Sequence, residues 1–173
     1  PGDTAAELKV LTNPDDFSPS FAGGRDNALA LAAALDWLEA RLTDRRYLMG
    51  EAITEADVRL FTTLARFDAV YHGHFKCNRS KLSEMPVLWD YARDLFQTPG
   101  FGDTIDFTQI KAHYYIVHSE INPSGIVPKG PELTHWLEPH GRKQLGGRPF
   151  GDGTPPHPPI PSEVVPAEHW ATR

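Results

Sequence analysis

Apolar residues recur at helical spacing in four stretches of the first 120 residues. In the first stretch, leucines return every three or four positions, which places them on one face of an α-helix. Asp26 is expected to cap the start of this helix, and Gly50 is expected to end it. The leucines that define the face are Leu31, Leu35, Leu38 and Leu42.

Thr54 and Asp57 predict the start of a second helix. The Thr54 hydroxyl can accept the backbone N–H of Asp57, and the Asp57 carboxylate can accept the N–H of Thr54, which is a capping box. This helix is expected to run to about Tyr71 and to lie at the centre of the bundle, because it has few polar positions. Its expected buried residues are Val58, Phe61, Leu64, Ala65 and Phe67.

Two more helices are predicted between residues 86 and 123. Pro86 suits the first turn of a helix, where its missing N–H is not needed, and this helix is expected to end at residues 99–100. The last helix is expected to begin near residues 104–106 and to end at residues 122–123. Its apolar face is Phe107, Ile110, Tyr114 and Val117.

Proline divides the chain into two parts. Residues 1–120 hold five of the 16 prolines and residues 121–173 hold eleven. Since proline interrupts helices, we predict a helical bundle over residues 1–120 and an irregular, Pro-rich tail over residues 121–173. The tail contains Trp136 and Trp170, so we expect it to pack on the bundle or on a partner subunit.

Composition excludes several classes of protein. The 173 residues suit one domain, and the formal charge of -6 without a basic run argues against nucleic-acid binding. The longest apolar stretch has eight residues, far below the ~20 of a membrane span. A single cysteine excludes an internal disulfide and favours a reducing, cytoplasmic compartment.

Few residues of the sequence are candidates for catalysis or metal binding. Cys77 is expected to be structural, because free cysteines are often buried. His72 and His74 lack the further ligands of a metal site, so no metal is expected. His113 and His118 lie five apart, share no helix face and are expected to be surface or capping groups. The sequence contains no phosphate-binding glycine loop and no hydrolase nucleophile elbow.

Residues 47–57, YLMGEAITEAD, resemble the core of the C-terminal helical domain of glutathione S-transferases. Other segments resemble the xi class of that superfamily, the glutathionyl-hydroquinone reductases, and the resemblance covers roughly residues 17–142. It implies an all-α fold: a glutathione S-transferase C-terminal-like helical bundle with a long irregular Pro-rich C-terminal tail. The matching segments are residues 66–77, 97–100, 110–118, 121–131 and 138–142.

The resemblance also implies an activity. In such enzymes an N-terminal thioredoxin-like domain carries a cysteine whose thiolate attacks the sulfur of a glutathionyl-hydroquinone, and a second glutathione resolves the mixed disulfide. That domain is absent from this chain and Cys77 does not match the nucleophile, so the chain alone is expected to be inactive. Glutathione, or another low-molecular-weight thiol, is the implied co-substrate. A homodimer formed through the helical domain is also implied.

The resemblance assigns substrate contacts to tyrosines. The tyrosine of the family's His-Tyr-[Phe/Tyr] segment falls on Tyr114, whereas helical spacing alone favours a core aromatic there. Tyr71 and Tyr115 are further candidates for the pocket that receives a small aromatic, hydroquinone-type substrate. Phe17 stands where the family has another tyrosine, and its missing hydroxyl leaves the substrate range open.

Two other functions remain open at this point. The chain could be a non-catalytic interaction module of the same fold, with the Pro-rich tail as a docking arm. It could also belong to a transferase that uses a serine or tyrosine in place of the cysteine. An upstream thioredoxin-like domain, and the residue at its catalytic position, would separate the three hypotheses.

Overall fold

The structure, a computed structural model, describes residues 24–151, with side chains from residue 30 onward. Every regular element in that range is helical, which confirms the predicted all-α class for the described part of the chain. The α-helices are α1 (Gly24–Arg41), α2 (Glu55–Arg66), α3 (His72–His74), α4 (Pro86–Phe96) and α5 (Phe107–Val117). A π-helix, Phe67–Tyr71, joins α2 to α3. The 3-10 helices are Leu82–Glu84, Gly102–Thr104, Thr134–Leu137 and Arg142–Leu145.

Helix α1 has different ends from those predicted. Asp26 lies inside the described helix rather than at its N-cap, and the helix ends at Arg41 rather than at Gly50. The Arg41 guanidinium instead donates to the carbonyl of Leu48, at 2.8 Å from Nη2, across the loop that follows. Gly50 has a φ of +127° and closes a tight turn with Tyr47 through two backbone hydrogen bonds of 3.0 and 3.1 Å. The glycine therefore serves this turn and not the helix end.

The predicted capping box is present at the start of α2. The Asp57 carboxylate accepts the backbone N–H of Thr54 at 2.8 Å. It also accepts the N–H of Leu48 at 2.9 Å and the hydroxyl of Tyr91 at 2.7 Å. One buried side chain thus joins α2 to the preceding turn and to α4.

The buried face of α2 follows Asp57. Leu60, Phe61 and Leu64 lie three, four and seven residues after it and are at most 3 % exposed. Val58 was predicted to be buried but is 47 % exposed, because a residue one position from Asp57 points about 100° away from that face. The predicted central position of α2 also proves wrong. Helix α4 lies there, packed against α1, α2 and the 3-10 helices around it.

The α-helical conformation of α2 ends at Arg66 and does not continue to Tyr71, where it was predicted to end. After Arg66 the chain widens into the π-helix, a geometry that occurs most often as a single turn near functional sites. The carboxylate of Asp68, in this π-helix, accepts hydrogen bonds from the N–H groups of Leu82 and Ser83 at 2.6 and 3.1 Å. The π-helix is thereby fixed to the segment that leads into α4.

Pro86 occupies the first turn of α4, as predicted. The Glu39 carboxylate from α1 accepts the N–H groups of Val87 and Leu88 at 2.9 and 2.6 Å, so it satisfies donors that the helix itself cannot pair. Asp106 caps α5 by accepting the N–H of Gln109 at 2.9 Å.

Helix α5 ends earlier than predicted, at Val117 instead of residues 122–123. The Asn122 amide folds back and donates to the carbonyl of Tyr115 at 2.7 Å, which satisfies one of the last carbonyls of the helix. Val117 was predicted on the buried face but is 60 % exposed, whereas Tyr115 is buried.

The segment after residue 121 packs on the helices as far as residue 151. Trp136 is 3 % exposed, and its ring lies 4.9 Å from Phe96 and 4.6 Å from Trp89, measured between ring centroids. The buried Arg142 donates to the carbonyl of Leu42 at 3.0 Å, beyond the end of α1. Residues 152–173, including Trp170, lie outside the described range. Among the described residues, no helix has both the length and the apolar character to cross a membrane.

Candidate functional site

The structure brings three of the four predicted site residues together. Tyr71 ends the π-helix, and Tyr114 and Tyr115 lie in the last turn of α5. The rings of Tyr71 and Tyr114 meet edge to face, with centroids 5.9 Å apart, and Phe75 lies within 6 Å of both. Phe17, the fourth predicted residue, lies outside the described residues.

A side-chain hydrogen bond joins Tyr71 to Tyr114. Tyr71 is buried, and burial raises the pKa of its hydroxyl, with the bond to Tyr114 acting in the same direction. Tyr71 therefore stays protonated, and its O–H donates a hydrogen bond to the Tyr114 oxygen. Tyr114 is half-buried, so part of this residue is open to solvent.

Tyr115 differs from the other two tyrosines. Its hydroxyl accepts a hydrogen bond from the backbone of His74, and its ring lies 4.8 Å from the His74 ring. A Cβ added at Gly73 would lie 3.0 Å from the Tyr115 oxygen, so glycine is what permits this close approach. These contacts favour a structural role, in which Tyr115 fixes α3 to α5.

A histidine pair lies beside the tyrosines, and the sequence did not predict it. His74 Nε2 and His118 Nδ1 are 3.1 Å apart. His74 is 3 % exposed, and burial lowers its pKa, with further lowering by His118. His118 does follow the last residue of α5, as expected of a capping group, but a pair 44 residues apart in the chain has no local signal. His113, the other histidine of that segment, is exposed.

Cys77 lies next to this cluster and has the wrong properties for a nucleophile. It is half-buried, and burial raises the pKa of its thiol. Reactive cysteines need a lowered pKa, because the thiolate is the reacting form. Its backbone N–H donates to the carbonyl of Tyr71 at 3.1 Å, and its thiol donates weakly to the carbonyl of Phe75 at 3.9 Å.

A pocket of about 240 Å³ lies elsewhere, between the end of α4 and the loop around Arg46. Arg46 donates two hydrogen bonds to the carboxylate of Asp94 there, at 2.8 and 2.9 Å. None of the predicted site residues lines this pocket. Within residues 24–151, no three His, Cys, Asp or Glu side chains come together to hold a metal ion.

Comparison with known proteins agrees with this fold. The family described as glutathione S-transferase, C-terminal domain, matches residues 25–94. Glutathionyl-hydroquinone reductase PcpF of Sphingobium chlorophenolicum is 52% identical over 97 residues, which are 56% of this chain and 31% of the relative. Glutathionyl-hydroquinone reductase YqjG of Escherichia coli is 46% identical over 121 residues, which are 68% of this chain and 36% of the relative.

Solved structures of glutathione transferases also resemble this chain. The crystal structure of a glutathione transferase from Gordonia bronchialis has a TM-score of 0.80 at 67% identity, over 96% of this chain and 50% of that one. A xi-class enzyme from Natrialba magadii has a TM-score of 0.70 at 36% identity, over 86% of this chain and 49% of that one.

The fold and the family match therefore define a helical domain of the glutathione S-transferase C-terminal type. The chain is similar to that superfamily over these residues, and the relatives it matches are named as glutathionyl-hydroquinone reductases and as a xi-class transferase, in agreement with the sequence motifs. It spans about a third of the length of the two curated relatives and about half of the two solved structures.

Proposed function

We propose that this chain supplies the aromatic-substrate pocket of a thiol-dependent reductase that acts on glutathionyl-hydroquinones. The observation that carries the proposal is the hydrogen-bonded pair of Tyr71 and Tyr114, in which Tyr71 is buried and Tyr114 is half-buried. A phenol hydroxyl that is already polarised by a second one suits recognition of the phenolic oxygen of a hydroquinone. The names of the two curated relatives support this substrate class.

In the proposed reaction, one glutathionyl-hydroquinone and one glutathione give a hydroquinone and glutathione disulfide. The bond between the ring carbon and sulfur breaks, a sulfur–sulfur bond forms, and the ring carbon takes up a proton. Tyr114 would hydrogen-bond the phenolic oxygen as negative charge develops on the departing ring, with Tyr71 holding it in place. Stabilising charge that appears only in the transition state is what accelerates such a step.

The nucleophile would come from elsewhere. Burial raises the pKa of Cys77, which opposes a catalytic role for it. We therefore propose a thioredoxin-like N-terminal domain as the partner that carries the reactive cysteine and the glutathione site, and that the chain alone is inactive. A homodimer, a cytoplasmic location and glutathione as the particular thiol follow from the same resemblance.

Tyr114→Phe tests the assignment of the pocket. Methylhydroquinone, kept reduced under nitrogen, is titrated into the chain and followed by NMR. We expect the Kd to rise about three- to tenfold, the effect of losing one hydrogen bond to a neutral group. Tyr47→Phe is the matched control, since the Tyr47 hydroxyl is buried without a hydrogen-bond partner and lies outside the cluster. Equal affinity of Tyr114→Phe and the unaltered chain would contradict the assignment.

A second function is not proposed. The alternative predicted from the sequence is a non-catalytic interaction module, with the Pro-rich tail of residues 121–173 as a docking arm. Residues 152–173 of that tail lie outside the described part of the chain.

A further inference from the structure

Two side-chain bridges tie the π-helix and α3 to α5, one helical turn apart. The first is the hydrogen bond between Tyr71 and Tyr114. The second is the contact of 3.1 Å between His74 and His118, which lie three and four residues further along their segments. Because residues three or four apart share a helix face, the histidine bridge lies directly beyond the tyrosine bridge.

We propose that His74 and His118 are positioning residues which hold Tyr114 against Tyr71 by sharing one proton between their facing ring nitrogens. When both facing nitrogens carry a proton, the bridge opens and the tyrosine pair loosens. This inference rests on the proposed function, because it concerns the residues assigned there to the substrate.

The proton count follows from the geometry. A hydrogen bond between Nε2 of His74 and Nδ1 of His118 needs one N–H donor and one bare nitrogen as acceptor. Two neutral imidazoles can supply that arrangement, and one extra proton can sit on a ring nitrogen that faces away. A second extra proton must occupy the acceptor nitrogen, which sets two N–H groups against each other.

Opening of the bridge between His74 and His118 would affect Tyr114 through the contacts of His118. The His118 ring lies edge-on to the Tyr114 ring, with centroids 5.4 Å apart. The carbonyl of His118 also accepts the N–H groups of Ile121 and Asn122 at 3.1 and 3.0 Å. Displacing His118 therefore disturbs both the last turn of α5 and the loop that follows it.

The direction of the pH effect follows from the neighbouring charges. Burial, His118 and Lys76 each lower the pKa of His74, and Glu120 opposes them. Because folding lowers the pKa of His74 below its ordinary value of 6.5, the unfolded chain takes up a proton there at a higher pH than the folded chain does. The bridge is intact above that pH, survives the first extra proton, and is lost at lower pH as the second extra proton binds. The other titratable groups around the pair are Tyr71, Tyr114, Tyr115 and His113.

His118→Asn and His118→Leu separate this role from simple packing. Asparagine places an acceptor oxygen near the position of Nδ1, so it keeps the hydrogen bond from His74 but cannot become protonated there. Leucine removes the bond and keeps bulk. His135→Asn is the matched control, because His135 is exposed and bonds only Glu138, away from the cluster.

Two readouts are taken on the full chain between pH 7.5 and 5.0. One is the Kd for methylhydroquinone, and the other is the NMR shift of the Tyr114 ring without any ligand. For the unaltered chain and for His135→Asn we expect the Kd to rise about tenfold as the pH falls, the effect of losing one hydrogen bond to the substrate. The Tyr114 ring should shift with the same midpoint. In His118→Asn both readouts should be flat, and in His118→Leu the affinity should be low at every pH.

Persistence of the pH dependence in His118→Asn would overturn the inference, and so would independent titration of the two rings near their ordinary value. If methylhydroquinone binds at no pH, the proposed function fails. The inference is then decided by the Tyr114 ring shift alone, which needs no ligand.

Discussion

Asp57→Ala is expected to lower the free energy of unfolding by about 3–5 kcal/mol, the range of a broken buried hydrogen-bond network. The carboxylate is fully buried and accepts hydrogen bonds from Leu48, Thr54 and Tyr91. Alanine leaves those donors without an acceptor in a place that water reaches poorly. It also removes the capping box that starts α2.

Urea denaturation followed by circular dichroism measures this loss. Glu55→Ala is the matched control, because Glu55 lies in the same first turn of α2 but is exposed and bonds only Arg59. Its loss should be below about 1 kcal/mol. A midpoint for Asp57→Ala within the error of the unaltered chain would show that the buried network contributes nothing.

Asp94→Ala is expected to have an effect of similar size, about 3–5 kcal/mol, through a different cause. Arg46 and Asp94 are 8 and 2 % exposed at their side chains and are joined by two hydrogen bonds. Removing the carboxylate leaves a buried guanidinium without its counter-charge. It also removes the contact at 3.5 Å with His140, which connects the tail segment to α4.

The control for Asp94→Ala is Asp36→Ala. Asp36 also makes a two-pronged ion pair, with Arg79, but both side chains are more than half exposed. Water and salt screen that pair, so its loss should be below about 1 kcal/mol. If the two variants lost equal stability, burial would not be what makes the Arg46–Asp94 pair important.

The sequence predicted those features that depend on a few adjacent residues. The capping box at Thr54 and the first turn at Pro86 follow from local hydrogen bonding and from the geometry of proline, and both are present. The spacing of apolar residues also indicated the four long helices. Motif resemblance predicts substrate contacts for Tyr71 and Tyr114, whereas helical spacing alone predicts that Tyr114 is a core residue.

Features that depend on distant residues were not predictable in this way. Gly50 was expected to end α1, but its turn is set by pairing with Tyr47, and the helix ends earlier. Val58 is exposed because the neighbouring Asp57 is buried, where it accepts hydrogen bonds from Leu48 and from the distant Tyr91. The bridge between His74 and His118 spans 44 residues and exists only once α3 and α5 have packed together.

The proposed reductase function is tested by incubating a glutathionyl-hydroquinone with glutathione and measuring the release of free hydroquinone and glutathione disulfide. The assay is run on this chain and, separately, on the complete product of the gene that encodes it. We predict that the complete product releases the two in equal amounts and that this chain alone releases neither. Release by this chain alone, or no release by the complete product, would contradict the proposed function.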